Sequence, residues 1–172
     1  MSLLFWSKKI GLFYAFILIC SVCLANDNLF KQARALQRDG KYEEAIVAFK
    51  AYLSQPMPRG DFSDEQMALY TDALMQLMNT FQSKGEPEAC VTTLKEVFKA
   101  SPVLQKSYVR DYYSVLGYAL SRTENMKEAE ETMLKAFTIP LHQATPERYF
   151  RDYAYAAAVF YSNPNYQKEV ID

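Results

Sequence analysis

The residues that could carry out chemistry are few in this 172-residue chain, and no two of them form a catalytic pair. His142 is the single histidine, and a metal site would need further histidine or cysteine ligands close to it. A serine, histidine and aspartate set cannot be built around one isolated histidine, and no glycine-rich phosphate loop is present. The sequence therefore predicts no catalytic residue, no metal ligand, no bound cofactor and no enzymatic activity.

Two interpretations are possible for the Cys90 thiol. It lies near the start of a predicted helix, and a helix N-terminus can make a thiol reactive. It also stands at a position of the predicted helix where small residues recur in the chain. This position favours a buried and inert thiol. The second interpretation is preferred.

The first 25 residues have the composition of a secretory signal. Lys8 and Lys9 precede an uncharged apolar run over residues 10–25, and polar sequence follows. The run is shorter than the ~20 residues of a membrane-spanning helix. We expect a signal peptide over 1–25, cleaved after Ala25, and hence an exported protein of the periplasm or cell envelope.

Two alternatives to cleavage remain open for this segment. The first is an uncleaved N-terminal anchor, in which case this segment is the only contact with the membrane. The second is lipidation at Cys20 or Cys23, although each follows a larger residue than a lipoprotein signal uses. Cleavage after Ala25 would leave Cys90 as the single thiol, so no intramolecular disulfide is expected.

Composition points to helices and gives no sign of a nucleic-acid partner. Ala, Leu, Met, Lys, Glu and Gln are abundant between the glycines and prolines, which is typical of helix. The formal net charge is −1, and no basic run follows Lys8 and Lys9, which argues against a nucleic-acid ligand.

The same pattern of residue types occurs three times in the chain. The stretches are GKYEEAIVAFKAYLSQP from Gly40, GEPEACVTTLKEVFKASP from Gly85 and ENMKEAEETMLKAFTIP from Glu124. Each runs from a turn through acidic residues to a small residue, then to a larger apolar residue four positions later and a proline. An apolar stretch at helical spacing precedes each one, so the repeated unit consists of two helices.

This pattern resembles the tetratricopeptide repeat family, whose unit of about 34 residues alternates small and large residues at fixed offsets. The resemblance implies an all-α, right-handed superhelix of antiparallel helix pairs, an α-solenoid, over 26–172. Its units are 26–59, 71–104, 110–143 and an incomplete 150–172. It also implies close packing between helices at Ala33, Ala45, Met78, Cys90, Gly117, Ala129 and Ala157.

Helix signals give approximate boundaries. Ser63, with Gln66 three residues later, reads as a capping box for a helix starting near Asp64. Thr145 followed by Pro146 reads as a cap and first turn of another helix. About seven helices are expected after residue 25.

The resemblance also implies a concave groove, lined by the first helix of each pair, that receives a protein or peptide. The candidate groove residues are those at offsets not used for packing; the alternative is a solvated face. They are Phe30, Arg34, Arg38, Met75, Asn79, Gln82, Asp111, Ser114, Tyr118, Arg122, Arg151, Tyr155 and Tyr161.

The function expected from this resemblance is a non-catalytic interaction scaffold in the cell envelope. The alternative is the extracytoplasmic sensor region of a longer membrane regulator, such as a sensor histidine kinase or a transcriptional regulator. Because the fourth unit is short, an apolar face formed by Tyr153, Ala156, Ala157 and Phe160 should remain partly uncovered and favour self-association.

Overall fold

The computed structural model describes residues 28–55, 64–140 and 146–161, and all regular structure in these ranges is helical. Helix α1 is described over 28–38. The others are α2 (Tyr42–Leu53), α3 (Asp64–Lys84), α4 (Pro87–Ala100), α5 (Pro102–Ser107), α6 (Val109–Leu120), α7 (Met126–Thr138) and α8 (Pro146–Tyr161). The predicted all-α, tetratricopeptide-like fold is confirmed.

First helices and second helices alternate along the chain, and each of the two kinds forms one layer. Along the chain α2, α4 and α7 each pack against the first helix that follows, α3, α6 and α8 respectively. The first helices also touch one another, α3 against α6 and α6 against α8. A pair of this kind cannot bury its apolar surface alone, so each unit depends on its neighbours in the stack.

The turn between first and second helix is built in the same way in the first two units. Gly40 and Gly85 both have φ of +72°, a left-handed conformation that favours glycine. In both turns the glycine N–H and the next N–H donate to carbonyls of the last helical turn, Gly40 to Gln37 and Lys41 to Leu36 in the first unit. This closure reverses the chain sharply after each first helix.

Helix α5 was not expected. Pro102 was interpreted as the end of the second unit, but it occupies the first turn of a short helix. Ser101 is buried at the N-cap, where its hydroxyl accepts a hydrogen bond from the Leu104 N–H at 3.4 Å. Val103 and Leu104 then enter the core, so the linker between units two and three contributes to packing.

A row of aromatic rings connects the first three units through the core. Phe30 lies 5.5 Å from Tyr52, Tyr52 lies 5.1 Å from Tyr70, and Tyr70 stacks on Tyr108 at 5.7 Å between ring centroids. All four side chains are buried. These contacts engage four of the chain's aromatic residues, and none of the four is a residue that the repeat pattern assigned to packing between helices.

The residues assigned to close packing between helices are buried, with one exception. Ala33, Ala45, Met78, Cys90, Gly117 and Ala129 have almost no exposed surface. A Cβ at Gly117 would lie 3.2 Å from Met133 N and 3.3 Å from Ala129 O, so α6 and α7 approach each other closely at this residue. Ala157 is only partly buried, whereas Ala156 next to it is buried. Ala157 is therefore not enclosed as the repeat register predicted.

The predicted signal peptide lies outside the described residues, as do Ser63, His142 and Thr145. None of the described helices has both the length and the apolar character needed to cross a membrane. The predicted starts at Asp64 and Pro146 coincide with the first residues of α3 and α8.

Candidate functional site

The surface formed by α1, α3, α6 and α8 will be called the first-helix face. Polar side chains join α1 to α3 along it. Arg34 Nη1 lies 3.2 Å from Asp72 Oδ2, and Gln37 Nε2 donates to Gln76 O at 3.2 Å and to Thr80 Oγ1 at 3.0 Å. Arg34 and Asp72 are half exposed, so water screens their pairing.

Between α6 and α8 the contacts are buried and reciprocal. The tripeptide Arg-Asp-Tyr occurs at 110–112 and again at 151–153. Arg110 Nε donates to Asp152 Oδ2 at 2.9 Å, and Arg151 Nη2 donates to Asp111 Oδ1 at 2.5 Å. The arginine of each tripeptide thus pairs with the aspartate of the other tripeptide.

Further hydrogen bonds extend this network to α3 and α7. Thr71 Oγ1 donates to Asp111 Oδ1 at 3.4 Å, and Arg110 Nη1 donates to Ile139 O at 2.9 Å. Asp111 and Asp152 are both about 1% exposed. Buried charges of this kind add little net stability, but removal of one partner leaves an uncompensated charge, so the network fixes the position of α8 against α6.

The network corrects part of the predicted groove. Asp111 and Ser114 are buried between helices, and neither offers a surface to a partner. Ser114 Oγ has no hydrogen-bond partner among the described residues. Phe30 is also buried and contacts Phe49 and Tyr52 in the core. The offset rule placed these three residues in the groove because it did not take account of contacts between successive first helices.

A partly exposed aromatic cluster lies where α6 and α8 meet. The rings of Tyr118 and Tyr155 stack with centroids 4.6 Å apart and planes 12° apart. Arg122 lies over the Tyr118 ring at 5.1 Å and donates from Nη2 to the Tyr118 hydroxyl at 2.6 Å. Burial raises the pKa of Tyr155 above its ordinary value. Tyrosine and arginine side chains held in this way are frequent anchors at protein interfaces.

The other predicted groove residues fall into two groups. Arg38, Gln82 and Tyr161 are exposed, whereas Met75 and Asn79 are half-buried in α3. Tyr161 and Tyr155 lie on different sides of α8. Helical spacing places Tyr161 on the side that also carries Phe150. The first-helix face therefore combines a half-exposed polar part on α1 and α3 with an aromatic part on α6 and α8.

Cys90 is buried in α4, and burial raises the pKa of its thiol to about 12. The thiol is therefore protonated at neutral pH and cannot act as a nucleophile, as the preferred interpretation held. No group of three or more His, Cys, Asp or Glu side chains suited to a metal ion occurs in the part of the chain that the structure describes.

A cavity lies between the start of α4 and the turn joining α6 to α7. It is an open cavity of about 540 Å³ in which Lys95 Nζ lies 2.7 Å from Glu128 Oε1. The sequence analysis did not predict it, since its walls come from two separate units. The lining residues are Glu88, Val91, Thr92, Lys95, Leu120, Thr123, Glu124, Asn125 and Glu128.

In a comparison with known protein families, residues 111–141 match the tetratricopeptide repeat. The chain contains a tetratricopeptide repeat. The matched range covers nearly all of α6, the whole of α7 and the turn between them, within the predicted third unit. Comparison with curated proteins and with solved structures gave no significant match.

The tetratricopeptide repeat agrees with the geometry of α6 and α7. Gly117 and Ala129, which the repeat pattern places at the joint, lie where the two helices approach each other closely. Repeats of this family are protein–protein interaction modules, and they generally bind protein partners. Tyr118 and Arg122, at the end of α6, lie inside the matched range.

Proposed function

We propose that this chain is a non-catalytic scaffold that binds a protein or peptide on the first-helix face. The observation that carries the proposal is the partly exposed cluster of Tyr118, Tyr155 and Arg122, of which Tyr118 and Arg122 lie inside the matched tetratricopeptide repeat. The buried ion pairs hold α8 and α6 in one relative position, so the cluster is formed before a partner arrives. Such preorganisation lowers the entropy cost of binding.

The partner that fits this surface presents an extended segment with an aromatic or proline ring and an acceptor group. A ring can stack on Tyr155 or Tyr118, and the Arg122 guanidinium can donate to a carbonyl or carboxylate. Arg38 and Gln82, exposed near the ends of α1 and α3, extend the same surface toward the N-terminal units.

The test is capture of binding partners from cell-envelope extract by the wild-type chain and by Arg122→Glu. The matched control is Lys127→Glu, which makes the same change of charge at an exposed position on the second helix α7. We expect a protein that the wild type and the control retain and that Arg122→Glu loses. Equal retention by all three proteins, or equal loss by both variants, would exclude the first-helix face as the binding site.

We also propose that the protein acts after export, with residues 1–25 as a cleaved signal or as its only membrane anchor. The basic start and apolar run of that segment support this location. Mass spectrometry of the protein recovered from the cell envelope should show a chain that begins at Asn26 if the signal is cleaved, or at residue 1 if the segment anchors the protein. A chain retained in the cytoplasm with residue 1 intact would refute export.

The alternative proposal is a sensor region of a longer membrane regulator. Here too the first-helix face would bind the partner, but binding would change the state of an attached domain. A partner that binds and has no effect on an attached kinase or DNA-binding domain would favour the scaffold.

We propose in addition that copies of the chain associate with each other through α8.

A further inference from the structure

The side of α8 that faces away from α6 carries a continuous apolar stripe. Phe150, Tyr153 and Tyr161 are 77%, 63% and 70% exposed, and Ala154 and the partly buried Ala157 lie between them. Their spacing of three, four, seven and eleven residues places them on one side of a helix. We call this set of five residues the α8 stripe.

No charged side chain belongs to the stripe. Arg151 and Asp152, its nearest charged neighbours in the sequence with described side chains, point the other way and are engaged with Asp111 and Arg110. The stripe is therefore neutral and apolar on a chain whose formal net charge is close to zero. Two such surfaces meet without repulsion between like charges, which permits contact with an identical chain.

Four of the five residues of the stripe match their own reverse, and the fifth, Tyr153, then lies opposite Ala158. If a two-fold axis crosses α8 midway between Tyr155 and Ala156, an antiparallel second α8 places its Tyr161 opposite Phe150. The same axis places its Ala157 opposite Ala154. Small residues then meet at the centre, where two helices need to come within about 8–10 Å, and rings meet at both ends.

We infer that the α8 stripe is a homodimer interface, in which two copies of α8 pack antiparallel about this axis. The inference rests on the proposed function, because it identifies one partner of the interaction module as a second copy of the chain. A two-fold contact uses the same surface on both copies, so it closes at two chains and does not propagate into fibres.

The exposed area indicates a weak dimer. A buried Phe or Tyr side chain removes about 150–250 Å² from water, so the three rings contribute about 400 Å² in each copy. Two copies then bury about 800 Å² in rings, and the alanines and flanking backbone bring the interface near the ~1,000 Å² that specific contacts need. We therefore expect the dimer to form at about 100 μM and to be largely dissociated at about 1 μM.

Sedimentation velocity of the full chain over this concentration range measures the dimer directly. Phe150→Glu and Ala154→Glu each place a charge in the stripe, and each should raise the dissociation constant at least about tenfold, since a desolvated charge costs more than 1.4 kcal/mol. Val47→Glu is the matched control, because Val47 is 68% exposed on α2, away from the stripe. It should leave the dissociation constant unchanged.

A pair of double variants tests the antiparallel register. Phe150→Lys with Tyr161→Glu places opposite charges across the interface at both ends, whereas Phe150→Lys with Tyr161→Lys places like charges there. Both remove the same two rings, and within one chain the two residues are three helical turns apart. The lysine–glutamate chain should dimerise more tightly than the lysine–lysine chain, and raising the salt concentration should reduce the difference.

A wild-type chain that stays monomeric at the highest concentration would overturn the inference, and would mean that the stripe has another occupant, such as residues 162–172. Equal dimerisation of the two double variants would overturn the register. Both outcomes are separate from the capture experiment, in which Arg122 is tested and no stripe residue is changed. Circular dichroism of each variant checks that the helices are retained.

Discussion

Helices α6 and α8 carry the same Arg-Asp-Tyr tripeptide, but their surroundings differ. Nine of the twelve residues of α6 are buried, compared with Asp152, Ala156 and Val159 among the twelve described side chains of α8. Tyr112 of the first tripeptide stacks on Phe98 at 3.9 Å and is buried. Tyr153 of the second lies 5.9 Å from Phe137 and remains exposed.

The difference shows that neighbouring helices decide the burial of a residue in this fold as much as its own type does. Phe98 and Phe137 occupy corresponding places near the ends of α4 and α7, so the two tyrosines start from similar contacts. Helix α6 is in addition covered by α7 and α8, whereas Phe150, Tyr153 and Tyr161 on the outer side of α8 are exposed. Stability in a stack of repeats is accordingly a sum of contacts between neighbours.

The largest effect should come from the buried side of α8. Asp152→Ala removes the carboxylate that Arg110 and Arg151 share and leaves two largely buried guanidinium groups without that partner. We expect a loss of about 3–5 kcal/mol of unfolding free energy, measured by urea denaturation. Asp72→Ala is the control, because the half-exposed pair with Arg34 should contribute only about 0–1 kcal/mol. Similar losses in the two variants would mean that the α6–α8 ion pairs are not buried as described.

Gly117→Leu tests the close contact between α6 and α7. The new side chain would meet Met133 N and Ala129 O, and backbone atoms of a packed helix cannot move aside easily. Overpacking should lower the unfolding free energy by about 1–3 kcal/mol. Ala157→Leu, on the partly open side of α8, should have a much smaller effect. If the two substitutions have equal effects on the melting temperature, α6 is no more tightly covered than α8.

Alkaline pH should lower the unfolding free energy through the buried groups Cys90 and Tyr70. Burial raises the pKa of Cys90 from 9.0 and that of Tyr70 from 10.0, in both cases to about 12. The unfolded chain therefore loses these protons first, so their contribution to stability is complete below pH 9 and is lost as the pH rises towards 12. Each group can lower the unfolding free energy by at most about 1.4 kcal/mol per pH unit. Denaturation curves from pH 7 to 11 should show this fall, with a later onset in Cys90→Ala; an identical onset would contradict the buried thiol.

Ser114→Ala should have a small effect of opposite sign. The Ser114 hydroxyl is fully buried without a hydrogen-bond partner among the described residues, so its removal relieves a desolvation cost. We expect a gain on the order of 1 kcal/mol or less in unfolding free energy and no change in partner capture. A clear loss of stability would show that the hydroxyl is hydrogen-bonded in solution.

Helix positions could be predicted from the sequence because they depend on local signals. The acidic and small residues after Gly40, Gly85 and Glu124 repeat at helical spacing, and caps marked the starts at Asp64 and Pro146. Helix α5 was missed because proline reads equally well as the end of one helix and as the first turn of the next.

The candidate site was harder to predict because it depends on contacts between helices far apart in sequence. Asp111 was assigned to a groove because it lies at an offset that the repeat pattern does not use for packing. The repeated Arg-Asp-Tyr tripeptide was the available signal, and its two copies do pair reciprocally. Whether two helices bring such copies together depends on stacking geometry, which a single sequence does not give.

Hydrogen exchange resolved by helix, in the wild type and in Asp152→Ala, tests most directly whether α8 is held on one side by the buried ion pairs. At about 1 μM protein, where the proposed dimer is largely dissociated, wild-type α8 should exchange faster than α6. Asp152→Ala should remove most of the protection of α8 while α2, α3 and α4 keep theirs. Wild-type protection of α8 equal to that of α6, or a uniform loss across all helices in the variant, would contradict this account.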